Sequence, residues 1–196
     1  MSRPVTLITA FEVPADADEP FVAGWERARE LLAAGNDHRA AALHRALRPD
    51  ADFRFVGVAR VEPPRAWPEA ASDPAFPGAE LPFATHPGLY EVVREHGTPD
   101  VAGGVLRIAH FEVAGDEDER FLAGWDEAQE AVAQRRGYLG TRLHRSLGRA
   151  DFRFVEIARW SSPLMVARAL ERPDGVRAAQ ASSPSAHAAL YQVVRD

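Results

Sequence analysis

The chain contains itself twice, and this constrains its fold more than any other feature. Leu43-His44-Arg45-Ala46-Leu47, a polar turn and Phe53-Arg54-Phe55-Val56-Gly57-Val58-Ala59-Arg60 return as Leu143-His144-Arg145-Ser146-Leu147, a turn one residue shorter, and Phe152-Arg153-Phe154-Val155-Glu156-Ile157-Ala158-Arg159. Each is an alternating pair broken by turn residues, the pattern of a β-hairpin. Phe11-Glu12-Val13 returns as Phe111-Glu112-Val113, and Phe21, Gly24, Trp25 and Ala28 as Phe121, Gly124, Trp125 and Ala128. Leu89-Tyr90 returns as Leu190-Tyr191. A period of about 100 residues is too long for a solenoid repeat, so the repeated unit is a domain. Residues 1–97 and 104–196 are expected to be the two domains. Each is short, so the halves are expected to share buried surface. His96 to Gly104, rich in Gly and Pro, reads as a flexible joint with little packing.

Within each half the periodicity changes in the same order. In the first, residues 5–13 read as a strand. Phe21, Trp25, Ala28 and Leu32 then make one apolar helical face after a capping pattern from Asp16 to Glu19. The hairpin 39–48 and 53–61 follows, then a short helix near 65–71 and a last strand at 89–94. The second half predicts a strand at 105–113 and a helix at 117–134, capped by Asp116 and Glu119. It continues with strands at 138–147 and 152–160, a helix at 163–171 and a strand at 189–195. The fold class is therefore α+β, with two ferredoxin-like β-α-β-β-α-β halves. Each half has one sheet face without helices. Two such faces in one chain are expected to pack sheet to sheet as an intramolecular α/β barrel.

Composition narrows the chemistry. There is no cysteine and no lysine, and all 23 basic residues are arginine. Thiolate, disulfide and Schiff-base chemistry are thereby excluded. Net charge is −6, which argues against nucleic acid or an anionic membrane as the main partner. No signal peptide or long apolar run is visible, so a cytoplasmic location is expected. No Gly-rich phosphate loop, nucleophile elbow or His-x-x-x-His spacing occurs, and no cofactor or metal is expected.

The ordered series Phe-Glu-Val, Phe-x-x-Gly-Trp, Leu-His-Arg-Ser-Leu, Phe-Arg-Phe-Val-x-x-Ala-Arg-Trp and Leu-Tyr-x-Val-Val, run through twice, resembles the antibiotic biosynthesis monooxygenase family. The resemblance implies a fused form of a dimeric α/β barrel, present as a monomeric pseudo-dimer or a homodimer of it. It implies an oxidoreductase acting without metal or flavin on aromatic polyketides, with dioxygen as co-substrate. A Trp after the third strand is implicated in oxidation there, and Trp67 matches by position alone. The second half has Leu164-Met165-Val166 at that place and departs from the pattern. Related branches degrade haem, so the resemblance does not by itself fix the reaction.

The two copies differ at a few positions, and these point to candidate catalytic residues. Ala10 becomes His110, on the same strand face as Glu112. A His titrating near neutrality suits proton abstraction from a phenol or anthrone, with Glu112 orienting it. Gly57 becomes Glu156. If the Phe face of that strand lines the space between the sheets, Glu156 is a rival base; if that face packs on the helices, Glu156 is an arginine-paired structural group. Phe55, Phe154, Trp67, Trp160 and Tyr191 are candidate substrate walls. His144, which recurs as His44, either contacts substrate or bonds a backbone carbonyl.

The function expected is a cofactor-independent monooxygenase that oxidises an anthrone or phenol to a quinone. A polyketide cyclase or isomerase using the same base, and a non-catalytic ligand-binding protein of the same pathway, are the alternatives.

Overall fold

The computed structural model describes residues 5–33, 39–61, 83–171 and 186–195. Eight strands run in chain order: β1 (Val5–Glu12), β2 (Arg39–Ala46), β3 (Phe55–Val61), β4 (Ala84–Gly97), β5 (Val105–Phe111), β6 (Tyr138–Ser146), β7 (Phe154–Trp160) and β8 (Ala186–Arg195). The described helices are α1 (Asp18–Ala33), α2 (Asp118–Ala133) and α3 (Pro163–Leu170). The helix expected at 65–71, and Trp67 with it, lies outside the described residues.

The strands close into one antiparallel barrel in the order β1-β3-β2-β8-β5-β7-β6-β4. The first half supplies β4-β1-β3-β2 and the second β8-β5-β7-β6, each in ferredoxin-like order. The sheets do more than face each other, because their edges pair. β2 bonds β8, with Ala46 opposite Tyr191. β4 bonds β6, with Tyr90 opposite Ser146. Among the described strands closure leaves no unpaired sheet edge, which removes the main aggregation liability of a β protein. The same two cross-links fix each seam: Tyr191 Oη donates to Phe53 O at 2.9 Å and Tyr90 Oη to Phe152 O at 3.1 Å.

Alternation sorts the strands' side chains into two cores. Ile8, Ala10, Val56, Ile108, Val155 and the two seam tyrosines fill the barrel interior. On the outer face of the first half, Phe11, Leu43 and Phe55 pack under Phe21 and Trp25 of α1. Phe111, Leu143 and Phe154 pack in the same way under Phe121 and Trp125 of α2. The stacked pairs Phe21–Phe55 and Phe121–Phe154 both have centroids 4.5 Å apart. Helix and sheet therefore meet through the same aromatic contact twice, as the duplicated sequence requires.

Two expectations are corrected. The capping pattern from Asp116 to Glu119 is not formed, because a 3-10 turn over Gly115–Glu117 intervenes and α2 starts at Asp118 without a side-chain cap. Asp118 instead takes Arg153 at 2.5 Å, and Asp18 takes Arg54 at 2.5 Å. A carboxylate in the first turn of α1 and of α2 thus answers both the helix dipole and a strand arginine. The joint between the halves is not bare: Thr98 N donates to Leu139 O, and arginines of β6 and β7 bond Pro99, Asp100 and Gly103.

Candidate functional site

At one end the barrel interior stays open. A cavity of about 490 Å³ is lined by Thr6, Ala42, His44, Val58, Arg60, Val92, Leu106, Arg142, His144, Ile157 and Arg159, with Glu95, Pro99 and Asp100 at its rim. All eleven lie on strands, at the inward-pointing positions of each pleat. The walls therefore come from both halves, and the loop joining the halves completes the mouth.

His44 and His144 are the buried polar pair of this cavity, 5 % and 3 % exposed. His44 Nδ1 lies 3.1 Å from Val56 O and His144 Nδ1 lies 3.2 Å from Val155 O. A carbonyl oxygen only accepts, so Nδ1 carries the proton in each ring and Nε2 holds the free lone pair. Burial pushes both imidazoles down to about 4, which keeps them neutral at physiological pH. Cationic neighbours add to the shift: the Arg159 guanidinium acts on His44 and the Arg142 guanidinium on His144. The arrangement joins two neutral proton acceptors, apolar walls and guanidinium groups able to stabilise a developing anion.

The opposite end of the barrel is plugged. His110 is 1 % exposed, and among the described residues no hydrogen-bond partner reaches either ring nitrogen. Its ring packs at 4.9 Å from Phe53 and 5.0 Å from Phe152. Burial pushes it down to about 3. His110 sits two inward positions along β5 from Leu106, the residue of that strand that lines the cavity, a separation of roughly 13 Å at the rise of a β-strand. Glu112 does not orient it. The Glu112 carboxylate lies 3.3 Å from His187 Nε2, and Asp52 lies 2.7 Å from His187 Nδ1. His86 is held in the same way by Glu12 at 2.8 Å and Asp151 at 2.7 Å.

Glu156, Phe55, Phe154 and Trp160 lie outside the barrel, against the helices. The two phenylalanines belong to the aromatic clusters under α1 and α2, and Trp160 packs with Val166 and Ala169 of α3. Glu156 accepts from Arg107 at 2.7 Å, Gln129 at 2.8 Å and Trp125 at 3.2 Å. The alternation misleads at one place. The chain bends at Arg54 and Arg153, just before β3 and β7 begin, so Phe53 and Phe152 turn into the barrel while Phe55 and Phe154 face the helices. Tyr191 is interior, but its hydroxyl is taken by Phe53 O. Of the described candidates, the cavity collects His144 alone.

Sequence reasoning passed over Arg142, Arg159, Glu95 and Asp100. Arg142 carried a signal, since Ala42 occupies its place in the first copy. Asp100, in the loop, carried none, because the joint was read as unpacked.

Residues 104–181 match the sequence profile of the family described as antibiotic biosynthesis monooxygenase. No curated protein sequence matches the chain. Among solved structures, an anthrone oxidase-like protein superposes with a TM-score of 0.76 at 15% identity, over 99% of this chain and 92% of that one. A ferredoxin-fold protein related to antibiotic biosynthesis monooxygenases from Listeria monocytogenes 4b F2365 gives a TM-score of 0.59 at 12% identity, over 100% and 97%. A heme-degrading enzyme from Listeria monocytogenes gives 0.51 at 15% identity, over 97% and 99%. At these identities the likeness is one of fold.

Proposed function

We propose that this chain, whose residues 104–181 match the antibiotic biosynthesis monooxygenase family, oxidises an electron-rich aromatic, an anthrone or phenol of polyketide type, to the quinone. In this reading 1–97 and 104–196 are the two domains of a pseudo-dimer, and the cavity between them takes substrate and dioxygen without a cofactor. The observation that carries it is the pair of neutral imidazoles, one from each half, lining one cavity at the open end of the barrel. The similarity to an anthrone oxidase-like protein supports the same substrate class.

The chemistry asks little of the protein. Nε2 of His144 or His44 accepts a proton from the substrate, leaving an enolate or phenolate. Arg142 and Arg159 lie beside these rings and offset the new negative charge, while the substrate anion itself favours the imidazolium formed beside it. The carbanion adds dioxygen, the peroxide takes back a proton, and loss of water breaks the O–O bond and forms the carbonyl. One dioxygen is consumed and one water released per quinone. Val58, Leu106 and Ile157 exclude bulk water from the reacting carbon.

The test is oxygen uptake with 1,8-dihydroxyanthrone, measured above the rate without protein. Quinone and oxygen are expected in equal amounts, and His144→Ala with His44→Ala should lower turnover by about 10²–10⁴, the usual worth of a general base. Turnover that continues under anaerobic conditions would replace this reading with the cyclase or isomerase. Binding without turnover would leave a ligand-binding protein.

A further inference from the structure

Arg159 differs from Arg142, the other half-buried arginine of the cavity. Arg142 is saturated, with Asp100 at 2.5 Å and Glu95 at 2.6 Å. Arg159 bonds two neutral groups of the inter-half loop: Nε donates to Pro99 O at 2.9 Å and Nη1 to Gly103 O at 2.9 Å. Among the described residues no carboxylate lies within ion-pair distance of it, although it is half-buried and lines the cavity. A guanidinium carries five N–H donors, so Nη2 and one Nη1 hydrogen are left for something else. Burial already lowers its proton affinity from the usual arginine range, a sign that its charge is incompletely compensated. Arg60, its counterpart in the first half, lines the same mouth and is exposed.

We infer that the cavity selects a ligand bearing an anionic oxygen group, a carboxylate in the first instance, which Arg159 holds against the loop that joins the two halves. A charged acceptor bonds a guanidinium about twice as strongly as a neutral one, so a carboxylate competes well for the fork that carbonyls now fill in part. The lining adds up in the same direction: Arg60, Arg142 and Arg159 against Glu95 and Asp100 leave one positive charge in excess. The loop is a wall of the site, because the group that binds the anion is positioned by Pro99 and Gly103. A ligand with its anion at this rim places its aromatic body further in, toward His44 and His144. This rests on the cavity being the substrate site, and it adds the substrate's charge.

The experiment is calorimetric binding of 1-hydroxy-2-naphthoate and of its methyl ester to the full chain. The wild type should bind the carboxylate at least about tenfold tighter, the worth of one charge-assisted hydrogen bond. In Arg159→Gln the preference should fall to about threefold or less, with ester binding unchanged. Equal binding of the two probes by the wild type, or a full preference kept by folded Arg159→Gln, overturns the inference. Should that variant fail to fold, Asp100→Asn decides: its side chain is 69% exposed, and removing its charge should tighten carboxylate binding by about threefold with the ester unmoved. No change in carboxylate binding there overturns the inference as well. Carboxylate preference without oxygen uptake would remove the oxygenase reading and leave this one. Uptake with neutral anthrones and no preference would do the reverse.

Discussion

Replacing Glu156 by Ala separates a catalytic carboxylate from a structural one. The side chain is 6% exposed and sits between β7 and α2, outside the barrel. Its oxygens take Arg107, Gln129 and Trp125. Removing them leaves two buried donors unsatisfied and one guanidinium, itself 19% exposed, without its partner. Breaking a buried pair costs about 3–5 kcal/mol. The first half shows which end of that range applies. Gly57 stands where Glu156 does, and Trp25 Nε1 is buried there without a partner. The fold thus tolerates one orphaned indole N–H, and Arg107 can turn toward water, so we expect about 3 kcal/mol. For a chain of this size that lowers the melting midpoint by roughly 6–12 °C. The assay is urea and thermal unfolding followed by circular dichroism, with turnover measured well below the midpoint. A loss of stability under about 1 kcal/mol would refute the reasoning on burial. Lost turnover in a folded variant would refute the placing of Glu156 outside the reaction.

Four further outcomes are expected. His44, His144 and His110 stay neutral to about 4, 4 and 3, whereas the unfolded chain protonates them near 6.5; stability should therefore fall as pH drops below about 6.5, and a flat urea midpoint down to pH 4.5 would contradict this. His86 and His187 have the opposite sign. Burial pulls them down, but Asp151 with Glu12, and Asp52 with Glu112, outweigh it and raise them, so their contribution is full below about 6.5 and fades as pH rises through the raised values. The double variant His86→Gln/His187→Gln should lose more stability at pH 6 than at pH 9, and equal losses would show the carboxylates to be inert. His110→Leu removes two buried polar atoms without partners and should leave turnover unchanged with stability at pH 7 equal or higher; a folded variant without turnover would restore His110 as the base. Tyr191→Phe and Tyr90→Phe each delete one seam hydrogen bond and should each cost about 1 kcal/mol, and a marked inequality would mean the seams are not equivalent.

The architecture was legible because it is written twice. Any assignment had to suit both copies, and the Phe-x-x-Gly-Trp helices and alternating hairpins leave little choice. Edge pairing was not legible, since a period of two says which face is buried and nothing about what an edge strand meets. The site was harder for a local reason. Alternation carried across Phe53-Arg54-Phe55 puts both phenylalanines on one face without saying whether that face meets the other sheet or the helices, so Glu156 could be read as a base or as the arginine-paired structural group it is. The bend at Arg54, where its N–H turns to Phe11 O at 3.0 Å, breaks the count. His110 was singled out as an asymmetry, yet asymmetry marks divergence and not exposure. For His144 and its copy His44 two readings stood side by side, substrate contact or a backbone-carbonyl bond; the structure joins them, because the bond fixes the tautomer of a ring that lines the cavity.

Fusion also changes what the cavity can become. In a symmetric dimer every residue near the axis occurs twice, so an arginine at position 142 would place two guanidinium groups in the same small space. Here Ala42 occupies the related position, and the inter-half loop brings Asp100 once, to Arg142. Thr6 against Leu106 and Arg60 against Arg159 divide the mouth in the same way: Arg60 reaches solvent, while Arg159 is turned inward by the loop carbonyls. The loop is what makes the two ends of an otherwise two-fold site chemically different. A flat aromatic entering such a site meets an anion-binding rim on one side only, so the fused chain can distinguish two edges of a substrate that a symmetric barrel would accept in either orientation.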